Sequence, residues 1–439
     1  MGRKIVIAFY LLLSVFITFN ISAWHNNSLL AWDKGGYYIY LPATLIYNDL
    51  GNLDFIQHVD RIYHPNGDTK AYAIYTHPQT GRRYTKYPMG VAICELPLFA
   101  VVHVVNRVFG IAPADGYSWP YQLSIALSTI VFSVLGLLLL NKFLSQYFSP
   151  RAVLWTLLLL AFGTNLYSYT AFDQGMSHNF SFFFFAALMY LADAFIKQGK
   201  TKHALLLGLV AGMIIITRPV NVVVLVVPLV WLAVNGKSVL NRKNTVPALL
   251  LSVLLAAAVL LVQMSYWKYT TGSWIHYSYE GERFYFSRPH IGEGLFSYRK
   301  GWFVYTPVAL PGIACIALLW KRHRHFFWSL AVFFSVNIYV VFCWHDWSYG
   351  GSFGCRPLIE SLALLGIPLC ALTERVNRAG KWARLLFYTI ACLLIGLNIF
   401  QTYQFHHSVI DCCNMNRAYY WQVFGKPEIS PEDWKLLNN

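Results

Sequence analysis

Charge is scarce in this 439-residue sequence: Asp, Glu, Lys and Arg together make up 12% of it, against 57% hydrophobic residues. That scarcity excludes an ordinary soluble domain, whose surface needs far more polar side chains than this chain can supply. Acids are rarer still than bases, 19 against 34, which leaves a formal charge of +15. The excess does not point to nucleic acid, because Lys and Arg fall in short clusters between apolar runs, as membrane topology requires. Paired cysteine spacing is also missing. Of the eight Cys, four (Cys315, Cys343, Cys370 and Cys392) lie inside apolar runs, and none shows the spacing of a zinc site. Cys412 and Cys413 are adjacent, which strains a mutual disulfide. No polar stretch is large enough for a separate soluble domain, and no internal repeat is evident.

What the chain has in quantity is apolar runs of about 17 to 22 residues, each long enough to cross a hydrocarbon core of roughly 30 Å as a helix. The basic clusters Arg3-Lys4, Lys197 to His203, Lys237 to Lys243, Lys321 to His325 and Glu374 to Arg384 are expected inside by the positive-inside rule. Spans that satisfy this fall near 5–23, 120–141, 152–170, 178–196, 203–217, 220–235, 246–266, 302–320, 326–343, 358–373 and 385–403. The first is read as a retained helix rather than a cleaved signal peptide, since its apolar run is long and Ile-Ser-Ala is a poor cleavage site. Met89 to Phe109 would spoil the parity if it crossed, so it is expected to be re-entrant or to lie along the outer interface. The fold class is therefore an all-α polytopic membrane bundle of about 11 to 12 transmembrane helices. Residues 1–403 form the membrane domain, with outer loops 24–88, 268–301 and 344–357, and 404–439 is a short outer tail.

With this topology every polar, sequence-complex stretch falls on the outer side, where chemistry is expected. In "WDKGGYY", Asp33 is either a cap of the following Tyr-rich amphipathic stretch or a partly desolvated carboxylate with its pKa raised toward neutrality, able to take a proton from a hydroxyl. "THPQTGRRYTKYPMG" sets Arg82, Arg83 and Lys86 beside an apolar run, as a headgroup-resting loop or a phosphate clamp. In "AFDQGMSHNFSFFFF", Ser177 suits a helix cap, while Asp173 and His178 sit at the outer mouth of two helices.

Arg218 in "IIITRPVNVV" is flanked by two apolar half-helices, a costly place unless it snorkels or is paired with Asp173 or a substrate phosphate. The loop Lys268 to Lys300 mixes Glu280, Glu282, Arg283, Arg288 and Glu293 with aromatics, in the manner of a sugar- or headgroup-contacting lid. "CWHDWSYGGSFGCRPLIE" adds His345, Asp346 and Arg356, the last read as a second basic anchor.

In their order along the chain these features resemble the multispanning GT-C glycosyltransferases, the clan of the protein O-mannosyltransferases and the lipid A aminoarabinose transferases. The resemblance is carried by an acid after the first helix (Asp33) and a basic residue close to a Pro (Lys86, Pro88). "GTNLYSYTAFDQGMSHNFSFFFFAALMYLA", "GLVAGMIIITRPVNVVVLVVPLVWLAV", "GLFSYRKGWFVYTPVALPGI" and "WSYGGSFGCRPLIESLALLGIPL" continue it. It spans nearly the whole chain as an ordered architecture of short motifs. Two departures stand out: Lys34 replaces the second acid that relatives often carry, and Tyr87 interrupts the Lys-Pro pair.

The resemblance implies a polyprenyl-phosphate sugar donor bound from the outer face, and an outer-loop carboxylate as general base for inverting transfer to a lipid, glycan or protein acceptor. Asp33 matches that carboxylate, with Asp173 as second choice. Lys86, Arg218, His178, Arg83, Arg288 and Arg356 are the candidate substrate-binding residues. No cofactor is implied with certainty; the single acid leaves a divalent metal as a lesser alternative. Membrane lipids are partners and nucleic acid is not. The expected location is a bacterial cytoplasmic membrane with the active site on its outer face, since the "KLLNN" end carries no retention signal. The competing readings are a lipid-linked glycan transporter or flippase, and a glycan polymerase or ligase.

Overall fold

The computed structural model describes residues 1–66, 73–240 and 244–437. The Lys237 to Lys243 cluster lies outside the described residues and side chains, as does the chain end at Asn438 and Asn439. The chain is an all-α polytopic membrane protein. Among the described residues seven helices are long and apolar enough to cross a membrane: Gly2–Ile21, Gly90–Phe109, Trp119–Leu144, Ser177–Gln198, Thr245–Thr271, Arg324–Phe342 and Lys381–His406. Shorter apolar helices, among them Pro150–Phe162, Thr201–Thr217 and Ala309–Leu319, complete the bundle. The one sheet among the described residues is the antiparallel pair Ile74–Thr76 and Arg83–Thr85.

Ser177–Gln198 is the axis of the bundle. It is buried on every face along most of its length, and Phe180, Phe182, Phe185 and Met189 have no exposure at all, as expected of a helix surrounded by others. A polar layer crosses the core beneath the cavity-bearing end. Asn179 donates to Ser133 Oγ and Thr170 Oγ1 at 2.8 Å each, and Tyr10 donates to Thr170 Oγ1 at 2.7 Å. Bonds of this kind hold helices together where lipid offers no hydrophobic driving force. They tie Gly2–Ile21 into the centre. Peripheral helices instead turn apolar residues outward: Leu254 and Leu393 are 65% and 66% exposed, as lipid-facing positions should be.

Thr201–Thr217 and Thr245–Thr271 run side by side at close range. The Gly208–Gly212 pair makes this possible, since a Cβ on Gly208 would stand 2.1 Å from the Ser252 carbonyl oxygen and one on Gly212 2.6 Å from Val259. Small residues four apart let two backbones approach in a membrane. The contact fixes the helix whose end delivers Arg218.

Gly90–Phe109 is one continuous helix, long and apolar enough to cross a membrane. Its start and its second half each meet one of the long helices. Met89 N–H donates to Gln263 Oε1 at 2.8 Å, and His103 Nδ1 lies 2.6 Å from the Tyr121 hydroxyl near the start of Trp119–Leu144. The "YYIYL" stretch departs from expectation: it breaks into Trp32–Tyr38 and Tyr40–Leu45, and Tyr37, Tyr38 and Tyr40 are buried against the bundle rather than spread on a leaflet. The tail also packs down, with Gln404 donating to the Val423 and Lys426 carbonyls at 2.9 and 2.8 Å.

Candidate active site

At the end of the bundle carrying the polar stretches lies a cavity of about 350 Å³. Its floor comes from Trp32–Tyr38, the start of Ser177–Gln198 and the break after Thr217. Its walls come from the 268–301 and 344–357 loops. Five of the predicted site residues, Asp33, Lys86, His178, Arg218 and Arg356, converge on it from distant parts of the chain.

Asp33 lies in the first turn of its helix, but Ala31 is the cap residue and no side chain caps the helix. The capping alternative is thereby set aside. The carboxylate instead accepts from the Tyr87 hydroxyl at Oδ1 and from Arg356 Nη2 at Oδ2, the latter at 2.9 Å. Gly36, one turn on, makes room for this: a Cβ there would sit 2.4 Å from the Tyr87 ring. Burial pushes the Asp33 carboxyl up, yet Arg356, the Tyr87 hydroxyl, Lys86 and His178 together more than offset it, holding the group below the usual carboxylate range. The expected rise toward neutrality is therefore reversed, because burial arrives here together with cations.

Lys86 is buried and pairs with Glu282 Oε1 of the overlying loop at 2.8 Å. Its ammonium also stands 5.3 and 5.6 Å from the Tyr87 and Tyr279 ring centres. An aromatic wall surrounds it: Tyr37 packs on Tyr87 with centroids 4.4 Å apart, and from the overlying loop Tyr279 packs on Trp344 at 5.5 Å and Phe284 on Trp344 at 4.7 Å. Such faces suit a sugar ring.

Beneath lies a buried group that sequence reasoning missed. Glu360, with 2% of its side chain exposed, accepts from His178 Nδ1 at 3.0 Å and faces Arg218 at 3.8 Å. Arg218 Nη1 is 2.8 and 3.2 Å from the two His178 ring nitrogens. Since Nδ1 cannot both donate to Glu360 and accept from Arg218, the consistent arrangement has the proton on Nδ1 and Arg218 donating to Nε2. Arg218 thus finds Glu360 and His178 rather than Asp173, and its guanidinium lies 5.7 Å from the Tyr349 ring centre at the cavity wall.

Other predicted residues lie elsewhere. Asp173 pairs with Lys34 at 2.6 Å and does not line the cavity. Arg83 points to Asp54 at 3.5 Å, and Arg288 is exposed and does not line the cavity. Ser177 is inside its helix, with Met176 as the cap residue, and its hydroxyl accepts from Tyr37 at 3.1 Å. Among the described residues no group of three or more His, Cys, Asp and Glu could hold a metal ion. Asp346 is occupied in bracing its own loop through Ser348 and Gly350. Cations already surround Asp33, so the donor set does not fit a divalent metal.

Residues 121–267 match the family of dolichyl-phosphate-mannose-protein mannosyltransferases. The similarity covers about a third of the 439-residue chain. The match takes in Asp173, His178 and Arg218 but not Asp33, Lys86, Arg356 or Glu360, and it supports a membrane glycosyltransferase. None of the curated proteins compared matches the chain. The matched segment supplies the bundle axis and the Arg218 turn, while the Asp33 carboxylate and two of the cations come from segments flanking it.

Proposed function

We propose that the protein transfers a sugar from a polyprenyl-phosphate donor to an acceptor hydroxyl in this cavity, with Asp33 as general base. The observation that carries this is the Asp33 carboxylate held in a partly closed aromatic cavity with Lys86, Arg218 and Arg356, where the other lining acids are engaged elsewhere, Glu282 with Lys86 and Asp346 with its own loop. A base needs an ionised carboxylate near the acceptor, and a phosphate leaving group needs cations where its charge develops. The acceptor oxygen attacks the anomeric carbon as its proton passes to Asp33. The bond from that carbon to the phosphate oxygen breaks, and polyprenyl phosphate leaves with inversion. No general acid is required, because phosphate leaves as a stable anion. Arg356, which pairs with Asp33, turns to the phosphate when donor binds and leaves a carboxylate lone pair for the acceptor. The pocket opens at the face read as external, most simply the outer face of a bacterial cytoplasmic membrane.

The test of donor class uses purified protein in nanodiscs with labelled polyprenyl-phosphate sugar, polyprenyl-diphosphate glycan and nucleotide sugar. Transfer from the first alone is expected; transfer from a nucleotide sugar instead contradicts the proposal. A pH profile tests the base. The Asp33 carboxyl is depressed, so it stays ionised until pH falls through that low value, and the acid limb of kcat/KM lies below the usual carboxylate range. Arg356→Gln removes the main lowering influence while burial remains, so the limb moves to higher pH. An unmoved limb removes Asp33 as the titrating base.

A further inference from the structure

At the opposite end of the bundle a groove of about 720 Å³ opens between the first turn of Gly2–Ile21 and the last turns of Trp119–Leu144. Its mouth is cationic, formed by Arg3, Lys4 and Lys142 with Asn141 and Ser145 beside them. No acidic residue lines it, and among the described residues none of these three cations has a carboxylate within 4.0 Å. Arg3 is steadied by a hydrogen bond to Ser145 Oγ, and Lys142 stands 4.7 Å from the Tyr190 ring centre. The groove is otherwise apolar, walled by Leu135, Leu138, Leu139 and Phe183, with Leu135 and Leu138 39% and 40% exposed. From Lys142 back to Leu135 a helix rises about 10 Å, so the apolar trough runs from the charged mouth into the depth of the hydrocarbon.

We infer that this groove is a binding site for an anionic glycerophospholipid, its phosphate headgroup among Arg3, Lys4 and Lys142 and one acyl chain along Leu135, Leu138 and Phe183. Charge complementarity selects the occupant. A zwitterionic lipid brings its own cation to a mouth that has no acid to receive it, and a free phosphate leaves the trough unfilled. Near a membrane surface each Lys or Arg strengthens the hold on anionic lipid by about fivefold. The bound lipid also clamps Gly2–Ile21 to Trp119–Leu144, and Gly2–Ile21 leads at its far end into the segment that presents Asp33. The site is independent of the sugar-transfer proposal, because it shares no residue with the cavity.

Native mass spectrometry of the full chain in detergent, titrated with dioleoyl phosphatidylglycerol and with dioleoyl phosphatidylcholine, tests this. Phosphatidylglycerol is expected to bind at least tenfold more tightly, and millimolar inorganic phosphate should not displace it. The triple variant Arg3→Gln, Lys4→Gln, Lys142→Gln should lose on the order of a hundredfold in affinity, while Lys200→Gln, Lys202→Gln, which neutralises lysines outside the groove, keeps it. Leu138→Trp fills the trough without touching charge and should also weaken binding. Equal binding of the two lipids, displacement by inorganic phosphate, or unchanged affinity in both the triple variant and Leu138→Trp overturns the inference.

Discussion

Asp33→Asn is expected to lower turnover by 10²- to 10⁴-fold, the usual contribution of a positioned general base, about 3–5 kcal/mol of transition-state stabilisation. The amide is the size of the carboxylate and still accepts from Tyr87, so the helix Trp32–Tyr38 keeps its place. Arg356, which donates to Asp33 at 2.9 Å, is released by the change. Donor affinity should therefore hold or rise while kcat falls, a split that a merely structural defect does not produce. Asp173→Asn is the internal control: Asp173 is held by Lys34 at 2.6 Å away from the cavity, and its loss should leave turnover near wild type. If Asp173→Asn abolishes transfer and Asp33→Asn does not, the base is assigned to the wrong carboxylate.

The second large effect is on stability. Glu360→Leu leaves Arg218 with its charge uncompensated, and breaking a buried pair from one side costs about 3–5 kcal/mol. Arg218 is 13% exposed toward the cavity, which places the expected loss at the lower end of that range. Arg218→Met alone removes the cation and leaves Glu360 hydrogen-bonded to His178, so it should cost less in stability but more in donor binding. The double variant Arg218→Met, Glu360→Leu should recover part of the loss of Glu360→Leu, which a double-mutant cycle by thermal unfolding reads directly. Additive losses would show that the two residues are not coupled.

Much of the architecture could be read in the chain because its information is local. Apolar runs and basic clusters mark out the helices, the polar stretches between them supply the residues that line the cavity, and Arg218 stands out as a charge between apolar half-helices. Its partner did not, although the signal was present: Glu360 sits in "PLIESLALLGIPL", and an ionisable residue in such a run calls for a partner. The partners of Asp33 lie 54 and 323 residues away, at Tyr87 and Arg356, and no local pattern encodes a meeting over that distance. The direction of the Asp33 shift was misjudged for the same reason, since burial can be guessed from the neighbourhood but the cations that outweigh it cannot. Charge density near Arg83 and Lys86 also gave no direction. The short strand turns Arg83 toward Asp54, whereas Lys86, just beyond it, enters the cavity. The Tyr-rich stretch looked interfacial because its hydroxyls suit a headgroup layer, but buried acceptors such as the carbonyls of Gly116 and Tyr87 satisfy Tyr38 and Tyr40 instead.

The central claim is that this cavity performs chemistry on a lipid-linked sugar rather than moving it. The most direct measurement reconstitutes the purified protein in sealed vesicles carrying a labelled polyprenyl-phosphate sugar and an acceptor mixture from membranes, and follows both the chemical form and the sidedness of the label. Label is expected to appear on acceptor with release of polyprenyl phosphate, and Asp33→Asn is expected to abolish this. Intact labelled donor crossing the bilayer with no transfer, and at the same rate in Asp33→Asn, contradicts it.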